Sequence, residues 1–170
     1  GLTGQGQIVA VADTGLDEQH PDFQGRIAGV VALGRPGDSS DPHGHGTHVA
    51  GSVLGDGSAS GGKVRGAAPA ARLFFQSLLD ASGGLGGLPF DLGDLFAEAY
   101  QAGARIHNNS WGAATQSMYT LNSSEVDEFV STHRDMLVVI SAGNEGTAAS
   151  PLKSQKGFVD WLSIGSPASA

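Results

Sequence analysis

The chain has 170 residues, enough for one domain with its own core, and no cysteine, which excludes disulfides, thiolate metal sites and a cysteine nucleophile. Asp and Glu outnumber Lys and Arg by 17 to 9, so the net charge of −8 argues against nucleic acid and against an anionic membrane surface as partners. Glycine supplies 27 residues, more than twice the usual share of about 7%, and lies mostly at segment ends, where tight α/β connections need it.

Short apolar runs alternate with amphipathic segments along the chain. In chain order, this pattern predicts a strand at 8–12, a strand at 27–33, a helix at 47–54, a strand at 72–79, a helix at 91–101, a strand at 105–109, a helix at 124–132 and a strand at 136–142. Asp91 is the predicted N-cap of the second helix, and Ser124 with Asp127 is the predicted capping box of the third. From residue 147 onward the pattern is irregular. The alternation predicts an α/β fold, a parallel β-sheet with helices on both faces, in a single domain spanning 1–170.

Polar side chains follow three of the predicted strands. Asp13, Asn109 and Asn144 all lie beyond the carboxyl end of a strand, where parallel sheets gather their functional groups. For a lone Asp, a strand-end cap on a turn explains the position equally well, and an Asn beside Gly is a common turn former.

Three of the six histidines lie within six residues, as His43, His45 and His48, and glycine flanks His45 on both sides. This density favours a functional site over an ordinary core or capping histidine. One alternative is a metal-dependent hydrolase, because three imidazoles at this spacing nearly match a zinc motif, although Thr47 stands where that motif has Asp. A second alternative is a phosphate-binding loop at 57–63, where Val64 replaces the required Ser or Thr; a surface loop is the favoured interpretation.

Taken in order, the motifs of this chain resemble those of the subtilisin-like serine peptidases. The matching stretches are Asp13-Thr14-Gly15, His45-Gly46-Thr47-His48-Val49-Ala50-Gly51, Asn109-Ser110-Trp111-Gly112 and Ala142-Gly143-Asn144. Segment 83–88 and the helix after it are similar to the oxidatively stable alkaline branch of bacterial subtilases. The resemblance covers the chain from residue 4 onward. It implies a three-layer α/β fold and a serine endopeptidase that hydrolyses peptide bonds with an Asp-His-Ser triad.

The resemblance also implies a role for each matching residue. Asp13 would orient the imidazole of His45, which would act as general base and then as general acid, and Asn144 would donate a hydrogen bond to the oxyanion. A polypeptide substrate would bind between two edges of main chain by β-augmentation. The substrate-binding residues implied in this way are Ser110, Trp111, Gly112, Gly86, Leu88, Ala142 and Gly143.

The nucleophile of the family, the Ser of a G-T-S-M-A motif, has no counterpart in this sequence. Gly-Thr occurs at 46–47 and 146–147, followed by His48 and Ala148. Because the family order is Asp, His, Asn, Ser, we expect the chain to be the N-terminal part of a catalytic domain, truncated before the serine-bearing helix. We expect such a fragment to be inactive, to expose an apolar sheet edge or face, and to self-associate or require the missing C-terminal part. A peptide-binding pseudopeptidase is the remaining alternative.

The resemblance implies no required cofactor, and it implies a secreted bacterial protein. A structural calcium ion is compatible with it, because Asp22 in His20-Pro21-Asp22 matches a residue that binds calcium in many subtilases. The companion loop at 55–63 departs from the family pattern, however, being longer and lacking Asn. The sequence therefore assigns no metal site.

Overall fold

A five-stranded parallel sheet forms the centre of the protein in the computed structural model, which describes residues 1–146 and 162–170. The segment from residue 147 onward was predicted to be irregular, and residues 147–161 of it lie outside the described residues. The strands are β1 (Ile8–Asp13), β2 (Ile27–Ala32), β3 (Arg72–Ser77), β4 (Ile106–Asn109) and β5 (Leu137–Ile140), in the order β2-β3-β1-β4-β5. All five match predicted strands, and all their pairings are parallel, as predicted.

Helices cover the sheet on both faces, which confirms the predicted fold class. They are α1 (His45–Leu54), α2 (Leu92–Gln101) and α3 (Leu121–Thr132). In β1, Val9 and Val11 pack in a core cluster that includes side chains of α1, whereas Ala10 and Ala12 pack in clusters that include side chains of α2. This alternation arises because successive strand residues point to opposite faces. Within the described ranges, no helix has the length and apolar character that crossing a bilayer requires.

The sheet is built outward from β1 in both directions. On one side lie β3 and β2, and on the other lie β4 and β5. The connection after β1 runs to β2 on one side of it, and the connection after β3 runs to β4 on the other side. Such a switch point opens a crevice at the carboxyl ends of the central strands. Asp13, the last residue of β1, pairs with Ser77 at the end of β3, while the preceding Ala12 pairs with Asn109 at the end of β4.

Two helix starts differ from the prediction, and in both cases the capping groups explain why. The second helix agrees, since Asp91 is its N-cap and accepts a hydrogen bond from Gly93 N at 2.8 Å. The third helix begins at Leu121, because Thr120 is its N-cap and the Ser123 hydroxyl accepts from Thr120 N at 3.3 Å. The predicted capping box at Ser124 was therefore wrong by one turn. The first helix begins at His45, two residues earlier than predicted.

One stretch of the sheet exposes an apolar face. Ile106 of β4 pairs with Leu137 of β5, and these two side chains and Val139 are 39%, 57% and 42% exposed. Ile106 also pairs with Val9, whose side chain faces the α1 layer, so the exposed patch lies on the α1 side of the sheet. The predicted exposed apolar surface is confirmed. We call Ile106, Leu137 and Val139 the open face.

The 57–63 segment is a surface loop, as the favoured interpretation held. It follows α1 rather than a strand, and it contains one turn of 3₁₀ helix at Ser58–Ser60. A phosphate-binding loop connects a strand to a helix, so that its N–H groups converge on the phosphate. This segment lacks that geometry.

Candidate active site

Asp13 and His45 meet at the carboxyl end of β1. Asp13 Oδ1 lies 2.7 Å from His45 Nδ1. The Asp13 carboxyl group is 2% exposed, whereas 45% of the His45 side chain is exposed. Because an ionised carboxylate only accepts hydrogen bonds, this contact assigns the imidazole proton to Nδ1 and leaves Nε2 as an acceptor. An accessible imidazole nitrogen with a buried carboxylate behind it can act as a general base.

The backbone around both side chains fixes their separation. Thr14 N donates to Asp13 Oδ1 at 2.8 Å, and Leu78 N, just beyond β3, donates to the Asp13 carbonyl at 2.8 Å. His45 is the first residue of α1, and a Cβ on Gly46 would collide with the carbonyl oxygen of Gly15. Glycine at 46 thus lets the start of α1 lie directly against the segment that follows Asp13.

A second group of predicted residues forms the wall of one cavity. Ser110, Trp111 and Gly112 follow β4, and Gly143 and Asn144 follow β5. Together with neighbouring residues they line a cavity of about 180 Å³. The two segments are tied together where Ser141 N donates to Asn109 O at 3.0 Å. Ala142 lies beside this wall, with its carbonyl accepting from Gly165 N at 2.9 Å.

Glu145 also lines this cavity, and sequence reasoning missed it. One of its carboxylate oxygens, Oε2, accepts a hydrogen bond from the main-chain N–H of Asn144 at 2.9 Å. The carboxylate therefore lies directly beside the proposed oxyanion donor. A charged residue immediately after the Gly143-Asn144 turn was the available signal.

The glycine-rich loop after β3 lies on the other side of β1. Asp80 folds this loop, because its Oδ1 accepts from Ser82 N at 2.8 Å and from Gly84 N at 3.0 Å. Hydrogen bonds from these two residues hold the pKa of the Asp80 carboxyl below its usual value. Within the loop Gly86 is exposed and Leu88 is half-buried against the core. Since β3 and β4 flank β1, the two predicted substrate edges follow strands on opposite sides of Asp13.

The three clustered histidines do not form a metal site. The ring centre of His43 lies 6.1 Å from that of His45 in an edge-on arrangement. Within residues 1–146 and 162–170, no group of three or more His, Cys, Asp or Glu side chains is arranged to hold a metal ion. Asp13 occupies Nδ1 of His45 instead, and the zinc alternative is not supported.

The surroundings of Asp22 do not fit a calcium ion. Its Oδ1 accepts a hydrogen bond from Ala59 N at 2.7 Å, so a main-chain N–H stands where a cation would bind. The Arg26 guanidinium donates to the Asp22 carbonyl oxygen, and its Nε lies 3.9 Å from Asp56 Oδ2. Calcium is bound by oxygen ligands, and a positive side chain among them opposes its binding. The 55–63 loop is attached to Asp22 by these direct contacts.

Comparison with known proteins agrees with this geometry. A model of the Subtilase family matches residues 4–169. The chain is 36% identical over 152 residues to subtilisin Savinase of Lederbergia lenta, covering 88% of the chain and 52% of that protein. It is 34% identical over 165 residues to the serine protease/ABC transporter B family protein tagD of Dictyostelium discoideum, covering 84% of the chain and 9% of that protein.

A solved structure, the S41 psychrophilic protease, superimposes with a TM-score of 0.67 at 29% identity, covering 98% of the chain and 51% of the other. The chain thus spans about half the length of subtilisin Savinase and of the S41 psychrophilic protease, and a small part of tagD. The assignment to one alkaline bacterial branch stays a prediction. The family model spans nearly the whole chain, and the chain belongs to the subtilase family.

Proposed function

We propose that the complete protein that carries this chain is a serine endopeptidase. The observation that carries the proposal is the contact between a buried carboxylate, Asp13, and an exposed imidazole, His45, at 2.7 Å. This pair can take a proton from a hydroxyl nucleophile at Nε2 and stabilise the imidazolium that results. The likeness to tagD, which is named as a serine protease/ABC transporter protein, and to the S41 psychrophilic protease supports the same chemistry.

The proposed reaction has two halves, and the same residues act in both. His45 Nε2 removes the proton of a serine hydroxyl as its oxygen attacks the peptide carbonyl, and the imidazolium then protonates the leaving amine. Asn144 donates to the oxyanion of the tetrahedral intermediate. Water repeats the sequence on the acyl-enzyme. The reaction needs no cofactor, because the protein's own groups supply every proton transfer.

We propose that the nucleophilic serine comes from a part of the protein outside this sequence. The open face lies on the α1 side of the sheet, and His45 belongs to α1. A segment that covered Ile106, Leu137 and Val139 would therefore lie on the same side of the sheet as His45. One segment can both bury this apolar surface and bring a serine toward Nε2. Without it, the 170-residue chain is inactive and self-associates.

The substrate in this proposal is a polypeptide held by its main chain. Ser110, Trp111 and Gly112 offer one edge, and Gly86 with Leu88 offers the other, on the opposite side of β1. Both edges carry glycine, which lets a peptide approach closely enough for main-chain hydrogen bonds. The cavity beside Gly143 and Asn144 would take one substrate side chain. A secreted bacterial protein fits the family resemblance, and a structural calcium ion at Asp22 is not part of the proposal.

The test is covalent labelling of the full-length protein with a fluorophosphonate, followed by peptide mass spectrometry. We expect an adduct on a single serine outside residues 1–170. The adduct should be lost in His45→Ala and retained in His48→Ala, a matched control in which an exposed histidine one turn along the same helix is removed. A folded protein without an adduct would refute the peptidase and favour the pseudopeptidase, which peptide-binding measurements would then test.

A further inference from the structure

The strongest feature outside the proposed catalytic residues is the carboxylate of Asp41, in the loop that precedes α1. Its Oδ1 accepts from the Thr14 hydroxyl and from Gly44 N, both at 2.9 Å. Its Oδ2 accepts from Thr47 N at 2.8 Å and from the Thr47 hydroxyl at 2.7 Å. One carboxylate thus connects the residue next to Asp13 with residues on both sides of His45.

These bonds replace a missing helix cap. The N-cap position of α1 is Gly44, with φ of +80°, and it has no side chain to accept the first N–H groups of the helix. Asp41 accepts two of them, from Gly44 and Thr47. The Thr14 hydroxyl accepts a third, from Gly46 N at 2.9 Å, while donating to Asp41. His45 therefore begins a helix whose N-terminal N–H groups are bound to Asp41 and Thr14.

The two threonine hydroxyls extend the network to the segment after β1. The Thr47 hydroxyl donates to Asp41 and accepts from Asp17 N at 2.9 Å. The main-chain segment that starts at Asp13 is thus held at Thr14 and again at Asp17. Rotation or translation of α1 away from β1 would break bonds at both points.

Asp41 is anionic in this setting. Partial burial raises its pKa, but the hydrogen bonds from Thr47, Thr14 and Gly44 outweigh burial and hold the pKa of the carboxyl below its usual value. Negative charge is also favourable at a helix N-terminus, where the helix dipole is positive. The charged carboxylate accepts four hydrogen bonds, which a neutral amide of the same shape cannot do.

We propose that Asp41 is a positioning residue for the Asp13–His45 pair, holding the start of α1 against the end of β1 so that the imidazole stays in contact with the carboxylate. Asp41 touches neither reacting group, and it acts through Thr14 and Thr47. The inference rests on the proposed function, because it assigns Asp41 a part in the same reaction.

The experiment uses the full-length protein with Asp41→Asn, and with Asp38→Asn as the matched control. Asp38 lies in the same loop and also accepts hydrogen bonds, from Ser40 N and from Arg35, but it has none with α1. Two readouts are taken. One is kcat and KM on a peptide substrate, with active sites counted by fluorophosphonate. The other is the low-field proton NMR signal of His45 Nδ1–H, assigned by its loss in His45→Ala.

We expect Asp41→Asn to lower kcat per titrated site about ten- to a hundredfold with little change in KM, since misplacing a reacting group by about 1 Å costs this much. The Nδ1–H signal should broaden or disappear, and Asp38→Asn should leave kcat and the signal unchanged. A simple loss of stability would lower the number of titrated sites instead of kcat per site. Wild-type kcat and an intact signal in Asp41→Asn would overturn the proposal.

Two further arms separate the possible failures. If the wild-type protein takes up no fluorophosphonate, the proposed function is wrong, and the NMR signal alone decides whether Asp41 positions the pair. If Asp41→Asn does not fold, Thr14→Val decides, because it removes the bonds of the Thr14 hydroxyl to Asp41 and Gly46 and leaves the bonds from Asp41 to Gly44 and Thr47. The signal should then weaken in Thr14→Val and recover in Thr14→Ser; equal signals in both variants would overturn the proposal.

Discussion

His107 on β4 gives a sharp prediction about stability and pH. The residue is fully buried, its Nε2 lies 2.9 Å from Gln76 Oε1, and its ring packs edge-on against Phe96 at 5.0 Å. Gln76 uses its amide N–H groups on Leu95 O and on Glu98, so its oxygen faces the imidazole and the proton is on Nε2. Burial lowers the pKa of His107 to about 3, with a side-chain hydrogen bond to Asn109 opposing this in part.

The sign of the effect follows from the direction of the pKa shift. In the unfolded chain the imidazole binds a proton below about pH 6.5, whereas in the folded protein it stays neutral down to about pH 3. Stability from the neutral ring is therefore complete above pH 6.5 and is lost as the pH falls toward 3. Between pH 7 and pH 4.5 this group alone lowers the free energy of unfolding by about 2–3 kcal/mol.

The substitution His107→Gln isolates this contribution. Glutamine can donate from a similar position to Gln76, but it does not titrate and loses the ring contact with Phe96, worth about 1 kcal/mol. We expect the wild type to be more stable at pH 7 and the variant to be more stable at pH 4.5. Urea unfolding at both pH values measures this in the full-length protein, with His45→Ala added to every protein compared, because removing the proposed general base prevents self-cleavage.

His43→Gln is the matched control, because the His43 ring is already exposed in the fold. Its stability should change with pH as the wild type's does. The other titrating groups are shared by all three proteins and cancel in the differences. Parallel pH curves for the wild type and His107→Gln would refute the reasoning.

Three further predictions concern the site and the open face. Gly46→Ala should lower the free energy of unfolding by about 2 kcal/mol or more, because its Cβ would collide with the Gly15 carbonyl oxygen. Gly51→Ala in the same helix is the control, since its Cβ would meet no neighbouring atom, and it should stabilise the protein by about 0.5–1 kcal/mol. Thermal melts measure both variants, and equal melting temperatures would contradict this reasoning. Asp13→Asn should lower kcat of the full-length protein with little change in KM, by about 10⁴-fold as in another serine protease triad, and full peptide hydrolysis would contradict its role. The isolated 170-residue chain should scatter light as an oligomer, and Val139→Lys should reduce its mass; a wild-type monomer at the same concentration would argue against self-association through the open face.

The strands were predictable because their signal is local. Apolar runs at 8–12 and 72–79 are buried on both faces in a parallel sheet, so almost every residue of the run contributes to the pattern. The strand β4 is the instructive exception, since its sequence is Ile-His-Asn-Asn and its two buried residues, His107 and Asn109, are both polar. The position of β4 was predicted correctly. The burial of His107 was not predictable from the local sequence, because its hydrogen-bond partner, Gln76, lies 31 residues away in the chain.

Two of the three helix starts were harder to predict, for a different reason in each helix. In α1 the N-cap is a glycine, and the capping carboxylate comes from Asp41, three residues earlier. A rule that searches for a polar side chain at the N-cap therefore places the start near Thr47. In α3 two hydroxyl residues, Thr120 and Ser123, precede the pair that sequence reasoning chose, and the contacts of both hydroxyls with Ser166, more than 40 residues away, favour the earlier start.

The Asp13–His45 pair shows the same limit at longer range. The motifs around Asp13 and His45 marked both residues, and the family resemblance implied their roles. The two residues are 32 positions apart in the sequence, however, and the sequence between them does not predict that their side chains lie 2.7 Å apart. That distance depends on the register of β1 with β3, on the lack of a side chain at Gly46 and on the bonds that Asp41 makes to both sides. The strand register and the close approach at Gly46 are suggested by the predicted strands and by the glycine itself. The role of Asp41 is not, because the sequence shows it only as part of an Asp-Pro turn. Its hydrogen bonds to Thr14, Gly44 and Thr47 are seen only in the structure. A site assembled from separate elements is therefore marked by its reacting residues in the sequence, while the residues that hold them in place become visible only in the fold.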